Sequence, residues 1–239
     1  MSTTESWQVE EVASQFSPPI QTDTGNPIQF FHLLSLLKSK PRTGWVRNGI
    51  PSPESIADHM YRMSMLALFA PPSLSSRLDI VKVTKMCLFH DVAESIVGDI
   101  TPMDPVPKSE KNRREVTTID FLAKRVLAGV PGHGAAELEA IWNEFEAGET
   151  EEAKFAQDLD KLELLLQAVE YERLMNGEKD LSSFISVAAK IQLVEVKAWA
   201  EVAIKERNVM WEGWGKKPAV VGEEMRKQLD DYYGKASSN

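Results

Sequence analysis

The 239-residue sequence has a single cysteine, Cys87, and therefore no internal disulfide, which favours a reducing compartment. No apolar run reaches the roughly 20 residues that cross a bilayer. The amino terminus has neither the basic start nor the apolar stretch of a signal peptide. These absences predict a cytoplasmic protein, with the nucleus as a further location, and no membrane partner.

Positive charge is also scarce, because 27 Lys and Arg residues face 36 Asp and Glu residues and the net charge is −9. This balance argues against a nucleic-acid polymer as partner, since phosphate backbones need clustered cations. A single nucleotide is not excluded, because a metal and one or two arginines can hold one phosphate. We interpret the one basic group as a solvated face rather than a phosphate site. It comprises Lys108, Lys111, Arg113 and Arg114.

From Pro27 onward, apolar residues recur at helical rather than alternating spacing, and no strand pattern is found. The first helix begins near Ile28 and ends before Lys40-Pro41, and the second begins at an N-cap on Ser52 and runs to about Ala70. Further helices are predicted over residues 77–97, 108–129, 135–147, 150–175, 181–206 and 220–233. Residues 1–25 are polar and are predicted to be a flexible leader. The pattern predicts an all-α fold.

A histidine and an aspartate, His90 and Asp91, stand side by side in an apolar run that is predicted to be helical. Burying both is costly unless something compensates them, and a divalent cation suits this pair. His59 lies upstream on another predicted helix and can join them if the two helices pack. The other two histidines, His32 and His133, are interpreted as a structural residue and an exposed loop residue.

Carboxylates surround this pair. Glu94 lies one helical turn from the histidine on the same predicted face, and Asp99 follows where the helix ends. Such a mixture of nitrogen and oxygen donors suits Mn, Co, Fe or Mg better than a structural zinc site. A further ligand must come from the helix at 150–175. Spacing leaves three candidates there, Asp158, Asp160 and Glu163, and the buried stripe of that helix mildly favours Asp160.

Four motifs occur in an order that resembles the HD-domain metal-dependent phosphohydrolases, and most closely their 5′-deoxynucleotidase branch (the YfbR-like and HD domain-containing protein 2 group). They are Arg42-Thr-Gly-Trp45, the stretch Glu54–Met63 around Asp-His-Met-Tyr-Arg, the stretch His90–Ile100, and the stretch Ala153–Glu172. The resemblance implies a single HD-domain helical bundle, which we expect over residues 26–208. A C-terminal helical extension is expected over 209–239.

The resemblance also implies roles for individual residues. The primary metal ligands are expected to be His59, His90, Asp91 and Asp160, which decides for Asp160 over Asp158. Glu94 and Asp99 are expected to act in catalysis or as ligands of a second ion. Arg42 and Trp45 match the substrate loop, although from sequence alone Trp45 is as well explained as a core anchor.

The implied reaction is hydrolysis of a deoxyribonucleoside 5′-monophosphate to the deoxynucleoside and phosphate. Its cofactor is expected to be a divalent cation, with Mn, Co or Mg favoured and Fe or Zn also compatible. Two alternatives stay open: an HD phosphohydrolase that acts on another nucleotide, and an HD module that binds nucleotides without turnover. The resemblance further implies a homodimer, for which the tryptophan-containing C-terminal third is a candidate interface.

Overall fold

The computed structural model describes residues 7–233, and the regular structure within this range is helical. The α-helices in chain order are α1 (Val9–Ser14), α2 (Ile28–Ser39), α3 (Thr43–Arg47), α4 (Ile56–Leu68), α5 (Pro72–Ser75), α6 (Ile80–Phe89), α7 (Glu94–Val97), α8 (Lys108–Phe121), α9 (Gly134–Ala147), α10 (Glu151–Leu174), α11 (Ser182–Ile185), α12 (Val194–Gly213) and α13 (Glu223–Tyr233). A π-helical turn, Leu122–Val126, extends α8, and a 3-10 turn, Ser186–Lys190, follows α11. The all-α fold class predicted from the sequence is confirmed.

The helices form two compact units. The first unit comprises the chain up to Met60 together with Leu88–Glu146, and the second comprises Tyr61–Cys87 together with the chain from Ala147 onward. Among residues 7–233, none of the helices combines the length and the apolar character that crossing a membrane requires.

The core of the first unit includes its amino-terminal segment. Val9 and Ala13 lie four residues apart on one face of α1, and both are buried. They belong to one apolar cluster with residues of α2, α8 and α9, among them Leu33, Leu37, Ile119, Phe121, Leu138 and Trp142. The predicted flexible leader is therefore wrong for the part that forms α1. Residues 1–6 of that leader lie outside the described residues.

Helix α4, which carries His59, begins at a capping box formed by Ser55 and Asp58, three residues after the N-cap predicted at Ser52. The hydroxyl oxygen of Ser55 accepts the backbone N–H of Asp58 at 3.1 Å, and the Asp58 carboxylate accepts the backbone N–H of Ser55 at 2.8 Å. These reciprocal bonds satisfy two N–H groups at the helix start. The predicted cap, Ser52, instead lies in the preceding loop with a φ of 50°.

The predicted helix over 77–97 is divided at the His-Asp pair. Helix α6 ends at Phe89 and α7 begins at Glu94, and the backbone between them forms a tight turn. Glu94 N–H donates to the Asp91 carbonyl at 3.0 Å, so the bonds here span three residues rather than four. The pair therefore lies in a turn between two helices, where side chains do not follow the helical wheel. Gly98, with a φ of 84°, ends α7.

The long helix α10 is the centre of the second unit. Thr150 caps its start by accepting the Ala153 backbone N–H at 3.2 Å. Asp158, fully buried, accepts the backbone N–H groups of Gln192 at 2.9 Å and Leu193 at 2.7 Å, and so fixes the segment that leads into α12.

Helix α12 packs against α10 and runs past the predicted domain boundary at residue 208. The Glu172 carboxylate, with 0% exposure, accepts Nε of Arg207 at 2.6 Å and Nε1 of Trp211 at 2.8 Å. Trp211 is thus part of the core of the second unit and offers no surface for the predicted dimer. Residues 234–239 of the predicted extension lie outside the described residues.

Candidate metal centre

Three of the four predicted metal ligands meet in the first unit. His59 comes from α4, and His90 and Asp91 come from the turn after α6. One ligand atom from each of the three lies within 4.8 Å of the others. The Asp91 Oδ2 atom is 3.1 Å from His90 Nε2 and 3.9 Å from His59 Nε2. Two imidazoles and one carboxylate therefore face a common point, an arrangement that can hold a divalent cation.

Two residues of α9 hold His90 in place. The indole Nε1 of Trp142, itself buried, donates a hydrogen bond to the backbone oxygen of His90 at 2.9 Å. The Phe145 ring lies against the His90 ring with centroids 5.0 Å apart. The turn is thereby anchored through its backbone and its side chain at once.

Asp91 is held in its charged form. Although burial raises its pKa, the electrostatic interaction and hydrogen bond with His90, the charge of Arg42 and the interaction with His59 lower the pKa of Asp91 well below its usual range. The Arg42 Nη1 atom donates to Asp91 Oδ2 at 3.0 Å. Arg42, predicted to contact substrate, thus lies at the edge of the three-residue cluster.

Glu94 lies at the start of α7 with an exposure of only 1%. Burial, reinforced by the negative charges of Asp91 and Asp99, raises the pKa of Glu94 well above its usual range, whereas the charges of Lys111 and Arg42 lower it. A carboxyl group with a raised pKa is a candidate general acid or base.

Asp99 connects the turn after α7 to the start of α3. Its carboxylate accepts the backbone N–H of Thr43 at 2.6 Å, and its carbonyl accepts the Thr43 hydroxyl at 2.9 Å. A cavity of about 320 Å³ opens beside this contact. It is lined by Lys40, Pro41, Thr43, Val46, Gly98 and Asp99.

Trp45 does not match its predicted substrate role. Its side chain is 1% exposed, and its indole N–H donates to a carboxylate oxygen of Glu54 at 2.9 Å. An indole buried to this extent has no open ring face for a base or sugar. The core-anchor alternative accounts for Trp45, which stabilises the loop that carries Arg42.

The candidates on α10 differ in what they contact within the second unit. Asp158 accepts backbone N–H groups, as described above, and Glu163 accepts Nε of Arg62 at 2.8 Å. Asp160 is half-buried, and its charge adds to the burial that raises the pKa of the Cys87 thiol. The role of Asp160 as fourth ligand stays a prediction from the resemblance.

Four residues that shape this centre were not predicted from the sequence. Trp142 and Phe145 carry no motif, and they contact His90 only because α9 folds back over the turn. Lys40, seen only as the end of a helix, donates through Nζ to the backbone oxygens of Glu94 and Ser95 at 3.1 and 2.9 Å. Thr43 was part of the Arg-Thr-Gly-Trp motif, but its pairing with Asp99 carries no local signal.

Comparison with known proteins supports the resemblance found in the sequence. The family model described as HD domain matches residues 34–203. The 5′-deoxynucleotidase hdd1 of Schizosaccharomyces pombe is 43% identical over 185 residues, which cover 77% of this chain and 91% of that protein. The 5′-deoxynucleotidase HDDC2 of Mus musculus is 40% identical over 182 residues, covering 76% of this chain and 88% of that protein.

A solved structure has the same fold. The HD domain-containing protein YGK1 of Saccharomyces cerevisiae aligns with a TM-score of 0.61 and 27% identity, over 85% of this chain and 94% of that one. The family-model match covers well over half of the sequence, and the curated relatives exceed 30% identity over most of their lengths. The chain therefore belongs to the HD domain family.

Proposed function

We propose that this chain is a divalent-metal-dependent hydrolase that removes the 5′-phosphate from deoxyribonucleoside 5′-monophosphates. The observation that carries the proposal is the meeting of His59, His90 and Asp91, whose ligand atoms lie within 4.8 Å of one another. The names of the relatives hdd1 and HDDC2, both called 5′-deoxynucleotidase, support the choice of substrate.

The donor set fits a divalent cation. Two imidazole nitrogens and a carboxylate oxygen suit Mn, Co, Mg, Fe or Zn, and Mn, Co or Mg is our preferred assignment. His59, His90 and Asp91 would hold the ion, and we assign Asp160 as the fourth ligand on the resemblance alone. When bound, such an ion offsets phosphate charge and lowers the pKa of a coordinated water.

The remaining residues bind the substrate and move protons. Arg42, whose guanidinium is 3.0 Å from Asp91 Oδ2, can grip phosphate oxygens in bidentate fashion. Glu94, whose pKa is raised chiefly by burial, can orient the attacking water and take its proton. Asp99 holds the loop that carries Arg42 through its two bonds to Thr43. A second ion bound by Glu94 and Asp99 remains part of the proposal.

The test measures phosphate release from a panel of ribo- and deoxyribonucleotides with Mn, Co, Mg, Fe or Zn, together with the bound metal. His59→Ala is expected to lose both the metal and the activity. The matched control is His133→Ala, which removes an exposed histidine and should change neither. Glu94→Gln is expected to retain the ion held by His59, His90 and Asp91 and to lose turnover.

Three outcomes separate the alternatives. Release only from triphosphates or other phosphate esters would replace the substrate and keep the hydrolase. Metal and nucleotide binding without turnover under any condition would favour the non-catalytic module. Equal metal content in His59→Ala and wild type would remove the ligand assignment.

The proposal extends to a homodimer in the cytoplasm that does not bind nucleic-acid polymers. The resemblance supports the dimer, and the net charge of −9 supports the prediction that the protein does not bind nucleic-acid polymers. Sedimentation equilibrium measures the mass in solution directly, and the 26.8 kDa of a monomer would exclude the dimer.

A further inference from the structure

The basic group at the start of α8 divides into residues with different surroundings. Arg113 and Arg114 each donate to the Glu110 carboxylate at 2.8 Å, as expected for a solvated helix face. Lys111 contacts different carboxylates. Its Nζ atom is 3.5 Å from Glu115 Oε1 and 3.9 Å from Glu94 Oε1.

Both carboxylates that Lys111 approaches are buried. Glu94 is 1% exposed and Glu115 is 9% exposed, while the Lys111 side chain is 18% exposed. Buried carboxylates at such positions need a nearby cation or a proton, because desolvation penalises their charged form. Lys111 is therefore an ammonium group close to the Glu94 and Glu115 carboxyl groups, and its charge also acts on Glu146, so it is not a member of a surface patch.

The charges around Glu94 show why this cation matters. Asp91 and Asp99 both repel the Glu94 carboxylate. Two other cations also act on Glu94, but Arg42 is hydrogen-bonded to Asp91 and Lys40 donates to backbone oxygens. Glu94 Oε2 is buried and has no hydrogen-bond partner among residues 7–233. Attraction to Lys111 thus offsets the repulsion that would turn the carboxylate away.

We propose that Lys111 is a positioning residue that holds the Glu94 carboxylate beside the His59, His90 and Asp91 cluster, and that Glu115 in turn holds Lys111. The inference rests on the proposed function, in which Glu94 orients the water and takes its proton. Lys111 does not touch the reacting atoms and acts through Glu94.

The experiment compares Lys111→Met, Lys111→Arg and Glu115→Gln with wild type in the presence of Mn²⁺. Lys111→Met is expected to lower kcat about 10- to 100-fold, as for other residues that orient a functional group. KM and the affinity for the Mn²⁺ ion held by His59, His90 and Asp91 should be unchanged. Lys111→Arg keeps the charge and should restore most of kcat. Glu115→Gln should lower kcat by less than Lys111→Met, because the ammonium group remains.

The matched control is Lys124→Met. Lys124 pairs with Asp120 at 2.9 Å in a half-exposed i, i+4 contact, so this variant removes the same charge without touching Glu94. Its kcat should equal that of wild type. Crystal structures of wild type and Lys111→Met provide a readout that needs no activity, in which the Glu94 carboxylate should leave its place only in the variant.

Several results would overturn the inference. A wild-type kcat in Lys111→Met would do so, as would an unmoved Glu94 or an equal loss of kcat in Lys111→Met and Lys111→Arg. If Lys111→Met does not fold, the kcat of Glu115→Gln tests the proposal instead. An unchanged kcat in Glu115→Gln would then count against it. An inactive wild type would instead refute the proposed function, and the two crystal structures would still test the placement of Glu94.

Discussion

The indole of Trp142 allows a direct measurement of how the fold holds His90. Trp142 is 1% exposed and donates to the backbone oxygen of His90 at 2.9 Å. Trp142→Phe removes the donor and leaves the buried backbone carbonyl of His90 without this hydrogen bond. The loss lowers the free energy of unfolding by about 1–3 kcal/mol. The smaller ring leaves a void that costs about 1 kcal/mol more. We expect the free energy of unfolding to fall by about 2–4 kcal/mol in total.

The same substitution should weaken metal binding. His90 and Asp91 lie in the turn that Trp142 anchors, and loss of a group that orients a ligand typically reduces metal affinity about 10- to 100-fold. Urea unfolding measures the loss of stability, and calorimetric titration with Mn²⁺ measures the affinity.

Trp211→Phe is the matched control. Trp211 is 4% exposed, and its indole donates at 2.8 Å to the Glu172 carboxylate in the second unit. Its replacement should reduce stability by a comparable amount and leave Mn²⁺ affinity at the wild-type value. If Trp142→Phe also binds Mn²⁺ as tightly as wild type, the idea that Trp142 sets the position of His90 is refuted.

Three further results are expected. Arg207→Met leaves the fully buried Glu172 carboxylate without its cation, so the free energy of unfolding in urea should fall by about 3–5 kcal/mol. A loss as small as that of a surface ion pair would contradict the pairing of Arg207 with a buried Glu172. Burial raises the pKa of Glu115 to about 7 from 4.5, so the folded state favours the protonated form. The stability of wild type relative to Glu115→Gln should therefore be greatest below pH 4.5 and decline as the pH rises to about 7, and a difference that is independent of pH in urea unfolding would refute this assignment. Removal of Mn²⁺ by a chelator should lower Tm, because a ligand at 100 times its Kd adds about 2.7 kcal/mol to the free energy of unfolding. Equal Tm values with and without the chelator, measured by calorimetry, would argue against a metal bound to the folded protein.

Helical periodicity was enough to predict the all-α fold, and the order of motifs along the chain was enough to predict the HD domain family and to suggest a set of metal ligands. These properties depend on short-range patterns. Helices appear as a 3.6-residue recurrence of apolar side chains, and the His-Asp pair with its neighbouring carboxylates lies within ten residues. The bounds of α2 and α9 were predicted closely for this reason, since local caps and breaks set them.

Only the tertiary structure decided the surroundings of each residue. The break between α6 and α7, the burial of Trp45, the bond from Trp142 to His90 and the separation of Lys111 from Arg113 all depend on contacts between helices. The Trp142 bond joins residues 52 positions apart. Helical periodicity reports which face of a helix is apolar but not which neighbour covers it, because the packing partner is chosen by the shape and volume of the whole core. A basic group in the sequence thus became, after folding, surface arginines paired with Glu110 and one lysine close to two buried carboxyl groups.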